Sequence, residues 1–212
     1  MDLEGLRARA QAPALAGAAD LAAVAQDLAD AFAEDVLFDW LSRADRPPEA
    51  LRRRFFRRVV QSALRDGSRI ERPASGGAAA IWSPSEALGA GSLAEEVKDL
   101  HAGLHLTGWR RLPRLIAVGK DMEAHHPMTR PHAYLWFLGV ARRFQGQGVG
   151  SWLLRSATDR LDRSRRPAFL ESQSERNVAL YRRHGFQVIS THRARPDAPL
   201  VWSMWREPAP LP

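Results

Sequence analysis

One stretch of this chain restricts its fold more than any other. Tyr134-Leu135-Trp136-Phe137-Leu138-Gly139-Val140 is an uninterrupted apolar run, Gly146, Gly148 and Gly150 follow it, and Val149 to Leu161 is amphipathic. The order predicts strand, glycine-rich turn, helix. A strand that is apolar at nearly every position is covered on both faces, as in sheets with parallel neighbours. Glycines let the backbone approach a ligand closely, and the first N–H groups of a helix have no partner within it. Such a turn is a cradle for an anion, because those N–H groups and the helix dipole both favour negative charge.

Several tenants compete for the cradle. A P-loop needs Gly-x-x-x-x-Gly-Lys-Ser/Thr, and this turn has no lysine, which argues against ATP and GTP. A dinucleotide fold needs Gly-x-Gly-x-x-Gly, but here the glycines stand at 146, 148 and 150, and late in the chain. A glycine turn with no ligand stays open. The remaining pattern is Arg/Gln-x-x-Gly-x-Gly/Ala, matched by Arg143-x-x-Gly146-x-Gly148. It resembles the pyrophosphate loop of the GNAT superfamily of N-acetyltransferases. A second motif follows in that superfamily's order and spacing: the short apolar strand Pro167 to Ser172, then Asn177-x-x-x-Tyr181-x-x-x-Gly185-Phe186. Ser174 is a candidate N-cap and Gly185 a candidate residue just past the helix end. Asn177 and Tyr181, four apart, share a helix face. Ala78 to Pro84, Met122 to Pro127 and Leu200 to Trp205 extend the likeness, which in detail looks most like the puromycin-type acetyltransferases.

The resemblance implies an α/β (α+β) GNAT fold, with a mixed central sheet of six to seven strands flanked by helices and central strands splayed to admit CoA. It implies acetyl-CoA as donor. The backbone of Gln145, Gly146, Gln147, Gly148, Val149, Gly150 and Ser151, after Arg143, would hold the pyrophosphate. Leu138 and Val140 would pair with the pantetheine arm, Gly139 would permit a bulge between them, and Asn177 would hydrogen-bond the arm. Tyr181 would protonate the departing sulfur, and Glu171 is the candidate base for the amine. A salt bridge to an arginine is the competing reading of Glu171, and a core position that of Tyr181. His125 and His126 could line the acceptor pocket, His132 reads as a strand-edge residue, and Trp82, Trp136 and Trp202 are candidates to shape that pocket. No spaced set completes a metal site.

The reaction so implied is acetyl transfer to the amine of a small molecule. The alternatives are a protein or peptide N-acetyltransferase, and a non-catalytic GNAT that binds CoA or nucleic acid. Composition narrows these. The chain has no cysteine, which excludes disulfides, thiolate metal sites and an acyl-cysteine mechanism. Its net charge of +7 comes from 31 basic and 24 acidic residues, with Lys98 and Lys120 the only lysines. Arginine bias on this scale tracks coding bias as much as nucleic-acid binding. The run Arg52 to Arg58 reads as a helix with Phe55, Phe56, Val59 and Val60 inward and arginines outward, so a nucleic-acid partner is not expected. No stretch is apolar enough to span a membrane, and the alanine-rich N-terminus lacks a basic start, so a cytoplasmic protein, monomer or homodimer, is expected.

Spacing predicts the rest: one domain over 1–212, a short strand at 12–16, a helical elaboration at about 20–66 and a hairpin at 68–82. Helices follow at 92–106 and 113–124. The cofactor-binding core spans about 132–186, and strands near 187–193 and 200–205 close the chain.

Overall fold

The computed structural model describes residues 13–87 and 93–210. The expected starts of a strand at 12 and of a helix at 92 lie outside the described residues. Leu21–Ala31 (α1) is helical because Val24, Ala25 and Leu28 recur on one face, and that face is buried. Val36–Leu41 (α2) was not legible in the spacing: six residues are too few for a period. Its start is set by Asp35, whose Oδ1 accepts from the N–H groups of Leu37 and Phe38 at 3.0 and 2.9 Å. Pro48–Arg65 (α3) opens on proline, whose fixed φ suits a first helical turn. It buries Phe56, Val59 and Val60 as expected, but Arg52 is inward too, its Nε donating to the Ala29 carbonyl at 3.3 Å.

Among the described residues seven strands make one mixed sheet: β1 (Ala14–Leu15), β2 (Arg69–Arg72), β3 (Ala78–Pro84), β4 (Ala133–Val140), β5 (Ala168–Ser172), β6 (Gln187–His192) and β7 (Val201–Arg206). Their order is β1-β2-β3-β4-β5-β7-β6. All neighbours are antiparallel except β4 and β5. Leu93–His125 (α4) is two helical segments that meet at a kink, in keeping with the two helices expected at 92–106 and 113–124. The break is at Gly108, whose backbone is non-helical at φ 61° and ψ 176°, and Pro113 lies within the second segment. Val149–Arg163 (α5) and Glu175–Arg183 (α6) complete the chain. No described helix is long and apolar enough to cross a membrane.

Two large apolar clusters hold the sheet. The first packs α1, α2 and α3 against β2 to β4, with Phe32, Phe38, Phe55, Phe56 and Phe137 in mutual ring contact. The second packs α5 and α6 against β4, β5 and β7 through Leu154, Leu161, Leu170, Phe186 and Met204. β4 belongs to both, yet Trp136, Phe137 and Leu138 are only half-buried. The apolar run is therefore not covered along its whole length.

Candidate active site

β4 and β5 pair over three positions only: Ala133 with Ala168, Tyr134 with Phe169, and Leu135 with Leu170. Beyond Leu135 the strands part. Immediately at that point the β3–β4 register shifts. Ile81 faces Phe137 while Trp82 faces Leu135, which leaves Trp136 as the additional residue. A bulge bends its strand and sharpens the local twist, which opens the fork. The bulge expected at Gly139 is thus at Trp136. Gly139 stays in register with Ala79, and glycine is needed there for another reason: a Cβ would lie 2.8 Å from Leu28 Cδ2 and 2.9 Å from Ala31 Cβ. Its role is to let α1 rest on the sheet.

A cavity of about 570 Å³ occupies the fork. Leu138, Gly139 and Val140 form one wall, and Gln145, Gly146, Gly148, Val149, Gly150 and Ser151 another. Asn177 and Tyr181 on α6 line it as well, and Phe32, Glu34, Asp35 and Val36 complete the lining. Most of the residues singled out from the sequence therefore meet in one place. Arg143 and Gln147 do not line this cavity. Arg143 lies over the Phe144 ring, 4.8 Å from its centroid, and Gln147 Nε2 donates to the Arg143 carbonyl at 2.9 Å. Both brace the turn. Gln145 does so as well, since its Nε2 donates to the carbonyls of Val140 and Ala31 at 2.9 and 3.2 Å. Val140 thus has its carbonyl already engaged.

The turn conformation explains its glycines. Gly146 and Gly148 have φ of +72° and +84°, a region that side chains disfavour, and Gly148 is the N-cap of α5. The N–H groups of the next residues point into the cavity end of the helix. Across from them Ser174 occupies the N-cap position of α6 without a side-chain cap bond, and Gly185, at φ +84°, ends the helix as expected.

Tyr181 is 7% exposed and packs edge-on to Phe186. Burial pushes its phenol above the usual range, so it is protonated at neutral pH. Glu171 is not on the cavity lining. Leu170 joins the cluster around Tyr181, and strand alternation turns Glu171 to the opposite face of the sheet, towards the end of α4. It is the first β5 residue past the last β4 pair, so it stands at the fork. Tyr134 Oη donates to its Oε2 at 2.9 Å, and its Oε1 is buried without a partner. Burial raises its carboxyl to about 7; the Tyr134 hydrogen bond lowers it, the Asp121 charge raises it, and His125 lowers it. No arginine is bonded to it among the described residues, so the competing salt-bridge reading fails.

The histidines cluster behind Glu171. His192 Nδ1 lies 2.6 Å from Asp121 Oδ2 and its Nε2 lies 2.9 Å from Ser203 Oγ. Spacing alone matches a nucleophile, base and orienting acid, but Ser203 is wholly buried in the sheet and unable to meet a substrate. His125 stacks on His192 at 3.8 Å with planes 1° apart. Parallel rings aim their nitrogen lone pairs along parallel planes and not at a shared ion, although Asp121, His125 and His192 are near enough for one. His126 and His132 share a hydrogen bond of 3.0 Å between their Nε2 atoms. His132, expected at a strand edge, is fully buried, and burial drives His126 down to about 4. Trp82 is core, while Trp136 and Trp202 are partly covered. Sequence reasoning missed Tyr134 as the partner of Glu171. Its being one of two tyrosines was the only signal, and only strand pairing shows the contact.

A sequence model of the acetyltransferase (GNAT) family matches residues 75–186, which covers both walls of the cavity and the fork. Among solved structures, a histone acetyltransferase and related acetyltransferase from Corynebacterium glutamicum is 25% identical, with a TM-score of 0.66 over 94% of this chain and 98% of that one. Arylalkylamine N-acetyltransferase 2 from Aedes aegypti is 12% identical, with a TM-score of 0.62 over 93% and 98%. Polyamine N-acetyltransferase from Drosophila melanogaster is 16% identical, with a TM-score of 0.50 over 85% and 90%. At those last two identities the likeness is one of fold. With the matched segment spanning more than half of the sequence, the chain belongs to the GNAT family of acetyltransferases, which are acetyl-CoA-dependent acyltransferases.

Proposed function

We propose that this chain acetylates the primary or secondary amine of a small molecule. The observation that carries the reading is the cover over the cavity. The end of α1, the start of α2 and the turn between them, through Phe32, Glu34, Asp35 and Val36, line the same space as Leu138, Asn177 and Tyr181. An acceptor reaching the fork enters a bounded, acid-rimmed mouth, which suits a small cation better than a folded protein.

The residues present fit acetyl-CoA. The unpaired edge of β4 offers backbone groups to an extended arm, with Leu138 and Gly139 free of a β5 partner and Val140 contributing less, since its carbonyl is engaged. The N–H groups from Gly146 to Ser151 suit a pyrophosphate. Asn177 lies across from them. Acetyl-CoA supplies a thioester whose acetyl carbon bonds to the amine nitrogen as its bond to sulfur breaks. Glu171 takes the amine proton at the fork, where a carboxyl near 7 is an efficient base at neutral pH. Tyr181 reaches the other face of the fork and gives its proton to sulfur. The two groups work from opposite faces of the sheet because the strands between them have parted.

A second reading follows from the Corynebacterium relative: a protein substrate, presented as an extended tail. Both readings are tested by screening amines for free-thiol release from acetyl-CoA, with puromycin-like aminonucleosides, arylalkylamines, polyamines and basic peptides as panels. Turnover confined to one or more small amines supports the proposal. Turnover of peptides alone supports the second reading, and no turnover of any acceptor with measurable donor binding supports a CoA-binding role.

A further inference from the structure

Ser151 and His184 come from different helices and meet at the cavity wall. Ser151 stands in the first turn of α5 and lines the cavity, while His184 is the C-cap of α6. Ser151 Oγ lies 2.7 Å from His184 Nε2. The imidazole is half-buried, and its place is fixed from the far side by Arg206 on β7, whose Nε donates to the His184 carbonyl at 2.9 Å. The His184 N–H donates to the Tyr181 carbonyl at 2.9 Å, but neither the Tyr181 phenol nor Glu171 is bonded to the pair.

A hydroxyl has one proton to give, so what it offers the cavity depends on its neighbour. If His184 carries its proton on Nδ1, Ser151 donates to Nε2 and turns lone pairs towards the cradle. If Nε2 carries the proton, it donates to Oγ, and the Ser151 proton is free to point into the cradle. An anion there is repelled by the first arrangement and bonded by the second.

We propose that His184 is a positioning residue for the acyl donor, orienting the Ser151 hydroxyl so that it donates to the donor's pyrophosphate. This rests on the reading of the α5 N-terminus as the pyrophosphate cradle. The groups that face His184 give the device a pH dependence. Burial lowers its proton affinity, and Arg155 on α5, Arg183 on α6 and Arg206 on β7 lower it further, against the single carboxylate of Asp159 on α5. At neutral pH the ring is therefore uncharged and both tautomers compete. Below its titration Nε2 is always protonated, Ser151 always points into the cradle, and a positive charge is added beside it. Donor affinity contributed by the pair is then full at low pH and falls as pH rises through the His184 titration. By reciprocity the bound donor raises the histidine's proton affinity.

The test is CoA affinity by calorimetry between pH 5 and 8 for the wild type, Ser151→Ala, His184→Phe and His184→Gln, with thermal unfolding as a check of folding. The terminal phosphate of CoA titrates near pH 6 in every protein, so each variant is read as a ratio to wild type. His184→Phe is expected to weaken binding about 3–10-fold at pH 7, the range of one lost hydrogen bond. His184→Gln, whose amide nitrogen can donate where Nε2 did, restores most of that. The ratio of wild-type to Gln affinity grows as pH falls, because glutamine cannot charge. In the Ser151→Ala background, His184→Phe at pH 7 and His184→Gln at pH 5 have no further effect. If Gln follows wild type at every pH, or if the Ser151 and His184 effects add, the proposal is overturned. Should His184→Phe fail to fold, Ser151→Ala and His184→Gln decide alone. Absence of CoA binding in the wild type itself would overturn the cradle reading, and is distinguishable because it precedes any comparison of variants.

Discussion

Glu171 holds its carboxyl near neutrality through three neighbours whose signs differ, so its titration can be moved in either direction. Burial dominates and raises it; of the neighbours, the Tyr134 hydroxyl lowers it, Asp121 raises it and His125 lowers it. Tyr134→Phe removes a donor to the carboxylate, so the acidic limb of kcat/KM should move to higher pH. Asp121→Asn removes a negative neighbour and should move the limb lower. The base must be ionised, so activity rises as pH passes upward through about 7 in the wild type. If neither variant displaces the limb, another group titrates. The acid proposed here, Tyr181, works in the other charge direction: burial keeps it protonated, and on that proposal its loss removes an acid without removing a binding surface. Tyr181→Phe is expected to lower kcat about 10²–10⁴-fold. The dissociation constant for CoA should stay within a factor of two to three, as a calorimetric titration would show. A matching loss of CoA affinity would make Tyr181 structural. At this scale the sequence exposed Glu171 and Tyr181 by their spacing from recognisable motifs. It hid Tyr134, Asp121 and His192, because their relation to Glu171 runs through strand pairing and the end of a helix 46 or more residues away in the chain.

At the scale of elements, α1 is placed on the sheet by a contact that one side chain would obstruct. α1 approaches β4 so closely that Gly139 has no room for a Cβ. Gly139→Ala should therefore destabilise the protein by about 1–3 kcal/mol, as for other overpacked sites, and displace α1 from the sheet. Urea unfolding would register the loss, and donor binding should weaken with it, since Ala31 and Phe32 also border the cavity. A neutral result would mean that α1 yields without cost. The elements with long apolar periods, α1, α3 and α5, were legible because burial of one face is a property of the segment itself. α2 was not, since a six-residue helix depends on its Asp35 cap more than on a period. The division of α4 was legible because its apolar period is interrupted, and Gly108 takes a non-helical φ of 61° in the gap. Packing on α2 and α3 holds the two segments as one kinked element.

The molecule as a whole is two large apolar clusters sharing β4, with a small third cluster of Ala78, Val149 and Leu153, and the cavity lies where the sheet divides. A ligand in the fork touches both clusters, so its binding should stabilise the fold as one unit. At a donor concentration of 100 times Kd the linkage is about 2.7 kcal/mol. For a chain of this length that corresponds to a rise in Tm of roughly 5–10 °C. Differential scanning fluorimetry with CoA would show it, and an unchanged Tm at saturation would mean the fork is not where CoA binds.

By itself the sequence determined the two local features on which the donor reading rests. The glycine turn and the Asn177–Tyr181 helix are local features, built within a few residues of one another, and local backbone constraint is written where it acts. The tertiary structure decided the rest. Only the strand pairing and the bulge at Trp136 show where the sheet opens, and only the packing of Leu170 beside Tyr181 shows that Glu171 and Tyr181 stand on opposite faces of that opening. The acid-rimmed part of the cavity is likewise made by α1 and α2, more than a hundred residues before the helix that lines it with them. Such contacts arise from the packing of distant segments, and no period or spacing along the chain records them.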